Sequence, residues 1–233
     1  MSEANSVEPL RAVLLDAAGT LIEPRESVGI TYSRFAEPYG ASLPAWRLDD
    51  AFVRVMGHAP PRVFPGAARD DIEREEIAWW RAIVRSSFLA ADSTVKFSDF
   101  DTFYSELFDY FSTSEAWGLR PGVSEALALL RERGLATGVV SNFDHRLPKI
   151  LQALDLQCFL DLVVIPADCG FEKPDPRIFG FACEKLGLEP AQVVHVGDDA
   201  VRDARAAEEA GLRSLLVGDF ESLGDLVHSI TAG

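Results

Sequence analysis

Residues 12–15 read Ala-Val-Leu-Leu, an unbroken apolar run closed by Asp16 and a glycine-containing turn. So short a run predicts a strand buried on both faces that feeds a loop. From about 24 to 113 the pattern changes, and strand character almost vanishes. Candidate helices lie near 26–39, 48–56, 70–89 and 98–111. In the last, Phe100, Phe103, Tyr104, Leu107, Phe108 and Phe111 recur at the spacing of one helical face. Ile77, Trp80, Ile83 and Val84 form a similar stripe, and stripes of this kind build a core. Residues 57–66, with three prolines, read as a loop.

From Leu119 onward helical and strand patterns alternate. Val123, Ala126, Leu127 and Leu130 share a helical face, and 135–140 is a strand. Leu147, Ile150, Leu151 and Leu154 are helical again, and 162–165 is a strand. Then come a helix at 178–186, a strand at 193–196, a helix at 203–210 and a strand at 214–217. This order predicts βαβ units and an α/β fold, a doubly wound parallel sheet covered on both faces. The run at 12–15 matches these strands, not the helices that follow it. The expected division is therefore an α/β core from 1–23 plus 113–233, with a smaller all-α domain inserted at 24–112.

The chain has 233 residues, 48% of them hydrophobic and 25% charged. That composition supports a real core and excludes a mostly disordered chain. No apolar run approaches the roughly 18 residues of a membrane span. Residues 1–11 hold no apolar stretch of signal-peptide length, so a cytoplasmic location is expected. The net charge of −15 and the lack of a basic run argue against nucleic-acid or membrane-surface partners. They leave room for a small anionic substrate, because charge is screened beyond about 8 Å at physiological salt. Cys158, Cys169 and Cys183 show no metal or redox spacing and read as reduced, mostly buried apolar residues.

In an open parallel sheet, ligands bind beyond the carboxyl ends of the strands. Asp16, Gly19 and Thr20 follow the first strand. Ser141 and Asn142 end the second, and Lys173-Pro174 follows the third. Asp198 and Asp199 end the fourth, with Asp203 five residues after Asp198. Each alone has an ordinary explanation as a turn former, a solvated loop residue or a helix cap. Together, on one edge, they offer carboxylates for a hard cation such as Mg²⁺ and a hydroxyl and lysine for a phosphate.

The order Asp16-Ala-Ala-Gly-Thr, Val140-Ser141-Asn142, Lys173-Pro174 and Gly197-Asp198-Asp199 with Asp203 resembles the four motifs of the haloacid dehalogenase superfamily. The inserted helices look like that superfamily's cap. The resemblance implies a Mg²⁺-dependent phosphatase of small phosphorylated metabolites. In it Asp16 is the nucleophile that becomes an aspartyl phosphate, and Lys173 offsets charge. Ser141, Asn142 and Lys173 hold the substrate. Asp16, the Ala18 carbonyl and Asp198 hold Mg²⁺, with Thr20, Asp199 and Asp203 behind them.

One position departs from that pattern. Phosphatases of the superfamily carry a second Asp, a general acid and base, where this chain has Ala18. Such catalysis contributes about 10²–10⁴-fold. Four readings follow. The first is a phosphatase that is slow, prefers acidic leaving groups, or borrows a proton from Glu23, Asp144 or His145. The second is a haloacid dehalogenase, whose halide leaves without a proton, although such enzymes usually lack the acidic last motif. The third is a phosphonatase-like hydrolase with a Schiff-base lysine, for which the insert offers only Lys96, late in its sequence. The fourth is a catalytically weakened binding protein.

Overall fold

The computed structural model describes residues 9–231. The opening and closing residues of the chain, and with them part of the 1–11 reading, lie outside that range. In chain order the elements are β1 (Ala12–Leu15), β2 (Ile22–Pro24), α1 (Val28–Ala36), α2 (Ala45–Gly57), α3 (Arg69–Ala91), α4 (Phe100–Tyr110), β3 (Trp117–Leu119), α5 (Val123–Glu132), β4 (Ala136–Val140), α6 (Leu147–Ala153), β5 (Leu162–Val164), α7 (Pro166–Cys169), α8 (Arg177–Leu186), β6 (Val193–Gly197), α9 (Ala206–Glu209), β7 (Arg213–Leu216) and α10 (Leu223–Thr231). They fall into two units. One holds Met1–Glu23, Leu119–Asp144 and Asp155–Gly233, and the other Pro24–Gly118 and His145–Leu154.

The first unit is the α/β one. Its five-stranded sheet has the order β5-β4-β1-β6-β7, and every pairing is parallel. β1 is central, and all four of its residues are fully buried, which is why they read as a continuous apolar run rather than an alternating one. Ala12 and Leu14 face a cluster with Val140, Val164, Ile178, Phe179, Ala182 and Ala206. Val13 and Leu15 point by alternation to the other face, where α5 packs on β4 and α10 lies beside α5. The chain winds outward through β1, β4 and β5, then returns to the opposite side of β1 for β6 and β7. That reversal makes a topological switch point, and the loops leaving the carboxyl ends of β1 and β6 diverge around a crevice.

The second unit is helical. Its core gathers Tyr32, Leu48, Val84, Phe88, Phe103 and Leu107 from α1 to α4. Phe88 stacks on Tyr32 at 5.9 Å and meets Phe97 and Phe103 edge-on at 5.0 and 5.4 Å. Helix α4 starts where Asp99 accepts hydrogen bonds from the Asp101 and Thr102 amides. Helices α1 and α2 cross closely because Gly29 has no side chain. A Cβ there would overlap the Ala45 carbonyl, while the Gly29 amide donates to Asp49 Oδ1 at 2.6 Å. Residues 145–154 join this unit, although periodicity placed them with the sheet. The reason is local: the His145 amide donates to the buried Glu76 at 3.1 Å, and the Arg146 guanidinium sits 4.0 Å over the Phe108 ring.

Other differences from the sequence reading are also local. The sheet unit resumes at 119 rather than 113, because 112–116 is a run of turns before β3. The helix expected at 203–210 begins at Ala200 with a wide, π-helical turn, since Asp199 caps it by accepting from the Val201 and Arg202 amides. β2, β3 and α7 are too short to show a period, and α10 is a further helix beyond the predicted elements. Cys183 is buried and Cys169 half-buried, but Cys158 is exposed. Among the described residues no helix is long and apolar enough to cross a membrane.

Phe88→Ala should destabilise the helical unit by about 3–5 kcal/mol, the usual cost of deleting a fully buried aromatic ring. Urea unfolding followed by tryptophan fluorescence measures it, and a change under 1 kcal/mol would mean that the ring is not the centre of this core.

Candidate active site

The crevice at the switch point is lined by Asp16, Ala18, Ser141, Asn142, Phe143, Lys173, Asp198, Asp199, Arg202 and Asp203. Its volume of about 200 Å³ suits a small head group rather than a drug-sized ligand.

Asp16 is the first residue beyond β1, and its amide donates to the Val196 carbonyl at 2.9 Å, so the loop leaves the sheet at a fixed point. Ser141 is placed in the same way beyond β4, its amide donating to Val164 at 3.1 Å. Lys173 comes from the segment after α7. The Asn142 side chain pins its main chain, donating to the Lys173 carbonyl and accepting from the Lys173 amide, both at 2.7 Å. The buried Lys173 ammonium lies 2.8 Å from Asp16 Oδ1 and 2.5 Å from Asp203 Oδ1. Its contact with Asp16 is an ion pair without hydrogen-bond direction, and Asp16 Oδ1 has no hydrogen-bond donor among the described residues.

Asp203 organises the far side. Its Oδ2 accepts from the amides of Asp198 and Asp199 at 3.1 and 3.0 Å. Its Oδ1 takes Lys173 and, at 3.1 Å, His195 Nε2. Four donors fill the four lone-pair directions of the carboxylate. Burial alone would raise the Asp203 carboxyl, but the His195 hydrogen bond and the Lys173 charge outweigh it and hold the group well below the usual range. Gly197 allows this approach, for a Cβ there would overlap the Asp203 side chain.

His195 was not singled out by the sequence reading. It is fully buried on β6 with its ring edge-on to Phe179 at 4.7 Å. Burial lowers its pKa despite the neighbouring Asp203, whose Oδ1 lies 3.1 Å from the His195 Nε2. The available signal was a lone polar residue inside Val-Val-His-Val-Gly. Arg202 was also passed over. It lines the crevice and pairs with Asp199 at 2.8 Å.

Asp198 opens to solvent. Partial desolvation, then the charges of Asp16 and Asp203, raise its carboxyl. Asp16, Asp198 and Asp203 bring oxygens within 4.8 Å of one another. Gly19, at φ +90°, keeps this side open, since a Cβ would overlap the Asp198 carboxylate. The Gly19 carbonyl is fixed by Arg120 Nη1 at 2.6 Å. Ala18 is exposed, so its position is not packed shut. Thr20 is buried behind the loop and does not line the crevice. Glu23, Asp144 and His145 are also absent from the lining, and Lys96 is exposed between α3 and α4.

The donor set fits a dication. Four carboxylates face two cations in the lining, a formal balance of −2. Asp199 is matched by Arg202 and Asp203 by Lys173, which leaves Asp16 and Asp198 without a full counter-charge. Oxygen donors of this kind select hard cations such as Mg²⁺.

Known proteins carry the same arrangement of chain. Haloacid dehalogenase-like hydrolase domain-containing protein 3 of Mus musculus is 33% identical over 221 residues, covering 94% of this chain and 86% of its own. N-acetylmuramic acid 6-phosphate phosphatase of Pseudomonas putida is 32% identical over 212 residues, covering 89% and 82%. Among solved structures, a dehalogenase matches with a TM-score of 0.68 at 23% identity, covering 99% of this chain and all of its own. A haloacid dehalogenase-type phosphatase from Thermococcus onnurineus matches at 0.64 and 23%, covering 96% and 99%. These two share the fold. The family model for haloacid dehalogenase-like hydrolases matches residues 10–211, and with the sheet order and crevice described above, the chain belongs to the haloacid dehalogenase-like hydrolases.

Proposed function

We propose that this hydrolase is a Mg²⁺-dependent phosphatase of small phosphorylated metabolites that works through an aspartyl phosphate on Asp16. The observation that carries this reading is the charge balance of the crevice. A net −2 lining repels a phosphate dianion until a divalent ion balances Asp16 and Asp198. Asp16, the Ala18 main-chain carbonyl and Asp198 would hold Mg²⁺, which when bound offsets the charge of the phosphoryl oxygens. Asp16 presents a carboxylate oxygen to phosphorus, and the Lys173 ammonium, 2.8 Å away, draws the phosphoryl group towards it. The Ser141 hydroxyl donates to a phosphoryl oxygen. Asn142 acts through Lys173, whose main chain it clamps on both sides. Asp203 fixes the backbone that carries Asp198. Positioning and charge neutralisation of this kind are most of what phosphoryl transfer requires. The relative from Pseudomonas putida, named for a sugar-phosphate phosphatase, supports a phosphorylated small molecule as substrate. Free cysteines support a cytoplasmic setting.

Ala18 favours a second reading, a haloacid dehalogenase, because halide leaves without a proton. The acids of the crevice speak against it, since Asp16, Asp198, Asp199 and Asp203 together would repel a haloacid carboxylate.

Calorimetric titration with Mg²⁺ separates the two readings. Asp198→Asn should weaken binding by at least the roughly tenfold that loss of an outer-sphere partner costs. Equal binding by both proteins, or dehalogenation that ignores Mg²⁺, would overturn the phosphatase.

Ala18→Asp should raise kcat on alkyl phosphates, by up to about 10²–10⁴-fold, because the exposed position accepts a carboxylate and the four carboxylates among the described lining residues have other work. The gain should be smaller on aryl phosphates, whose leaving groups need little help, and Asp16→Asn in the same background should abolish both. A folded Ala18→Asp protein with unchanged kcat on both would show that proton transfer does not limit this site.

A further inference from the structure

The reaction proposed above contains two proton movements. An alkyl ester expels an alkoxide that needs a proton, and water that attacks an aspartyl phosphate must lose one. Among the described residues lining the crevice, no side chain is placed to do either. Asp203 is buried and its oxygens are filled by Lys173, His195 and two amides. Asp199 accepts the Val201 and Arg202 amides on one oxygen and the Arg202 guanidinium on the other. The Asn142 amide is committed to the Lys173 main chain, and the Lys173 ammonium is held between two carboxylates. Asp16 is the nucleophile, and Asp198 is left to the metal. The lining contains no histidine, tyrosine, cysteine or glutamate. At residue 18, where solvent reaches the loop, there is only a methyl group.

We propose that this crevice accepts phosphoryl groups from acyl phosphates and retains them on Asp16 as a long-lived aspartyl phosphate. The proposal rests on the phosphatase reading and narrows its substrate class. In the first step an Asp16 carboxylate oxygen bonds to phosphorus while the bond from phosphorus to the bridging oxygen of the donor breaks. The electron pair leaves with the donor's carboxylate. Donor and product are both mixed anhydrides of a carboxylic and a phosphoric acid, so the exchange needs no proton and is near balance. In the second step a water oxygen bonds to phosphorus, the bond from phosphorus to Asp16 breaks, and its pair returns to the Asp16 carboxylate. The water's proton goes to solvent unassisted. The first step therefore has all its groups in place, whereas the second lacks its base, and the phosphorylated state accumulates.

The test is to incubate the full chain with acetyl phosphate and Mg²⁺, quench in acid, and measure intact mass. The expected result is one phosphoryl group per chain. It should map to Asp16, be labile to hydroxylamine, be absent from Asp16→Asn, and persist through desalting. After removal of acetyl phosphate, the label on Ala18→Asp should decay about 10²-fold faster or more, as restored general base catalysis predicts. Retention by the wild-type chain decides the matter by itself if Ala18→Asp fails to fold. Steady, Asp16-dependent hydrolysis of acetyl phosphate with no retained label would overturn the proposal and leave the phosphatase standing. Neither label nor Asp16-dependent hydrolysis of acetyl or p-nitrophenyl phosphate would bring down the phosphatase reading, and this proposal with it.

Discussion

The buried carboxylate of Asp203 is the interaction on which the site depends. It receives Lys173 from beyond β5, His195 from within β6, and the amides of Asp198 and Asp199 from the end of β6. Ionised groups inside a protein are tolerable only when paired and hydrogen-bonded, and truncating one partner leaves the others uncompensated. Asp203 therefore joins two separate chain segments, and the arrangement holds only while every donor is present. Gly197 is part of the same constraint, because any side chain there would occupy the place of the carboxylate.

That hub explains the division of labour among the acids. Asp203 is saturated and inward, so it organises. Asp199 is turned to its own helix and to Arg202, so it caps. Asp16 and Asp198 line the crevice with carboxylate oxygens within 4.8 Å of each other. Residues of one chemical type, close in sequence, thus acquire different work from their hydrogen-bond partners. His195 belongs to the same account. Its Nδ1 has no partner among the described residues, a cost that the bond from its other nitrogen to Asp203 offsets.

The helical unit rests on different physics. Its core is aromatic and close-packed, with Phe88 meeting three rings, and one glycine lets α1 and α2 approach. The His145–Glu76 contact draws a ten-residue segment of the later chain into this unit. Hydrophobic periodicity carries no information about such a contact, because a single buried carboxylate chooses its partner by geometry.

The sequence by itself determined the α/β class and the parallel sheet, and it named most of the residues that line the crevice. Strands buried on both faces must be continuous apolar runs, and parallel strands must place their polar ends on one edge. The helical stripe from Phe100 to Phe111 was legible for a similar reason, since burial of one face leaves a period. Only the tertiary structure decided what each polar residue does there. It turned Asn142 to the Lys173 backbone, filled Asp203 from four sides, brought in His195 and Arg202, and left Ala18 open to solvent. Spacing along a chain fixes which strand end a side chain belongs to. Its partners come from other strands, and those distances exist only once the sheet has closed the chain upon itself.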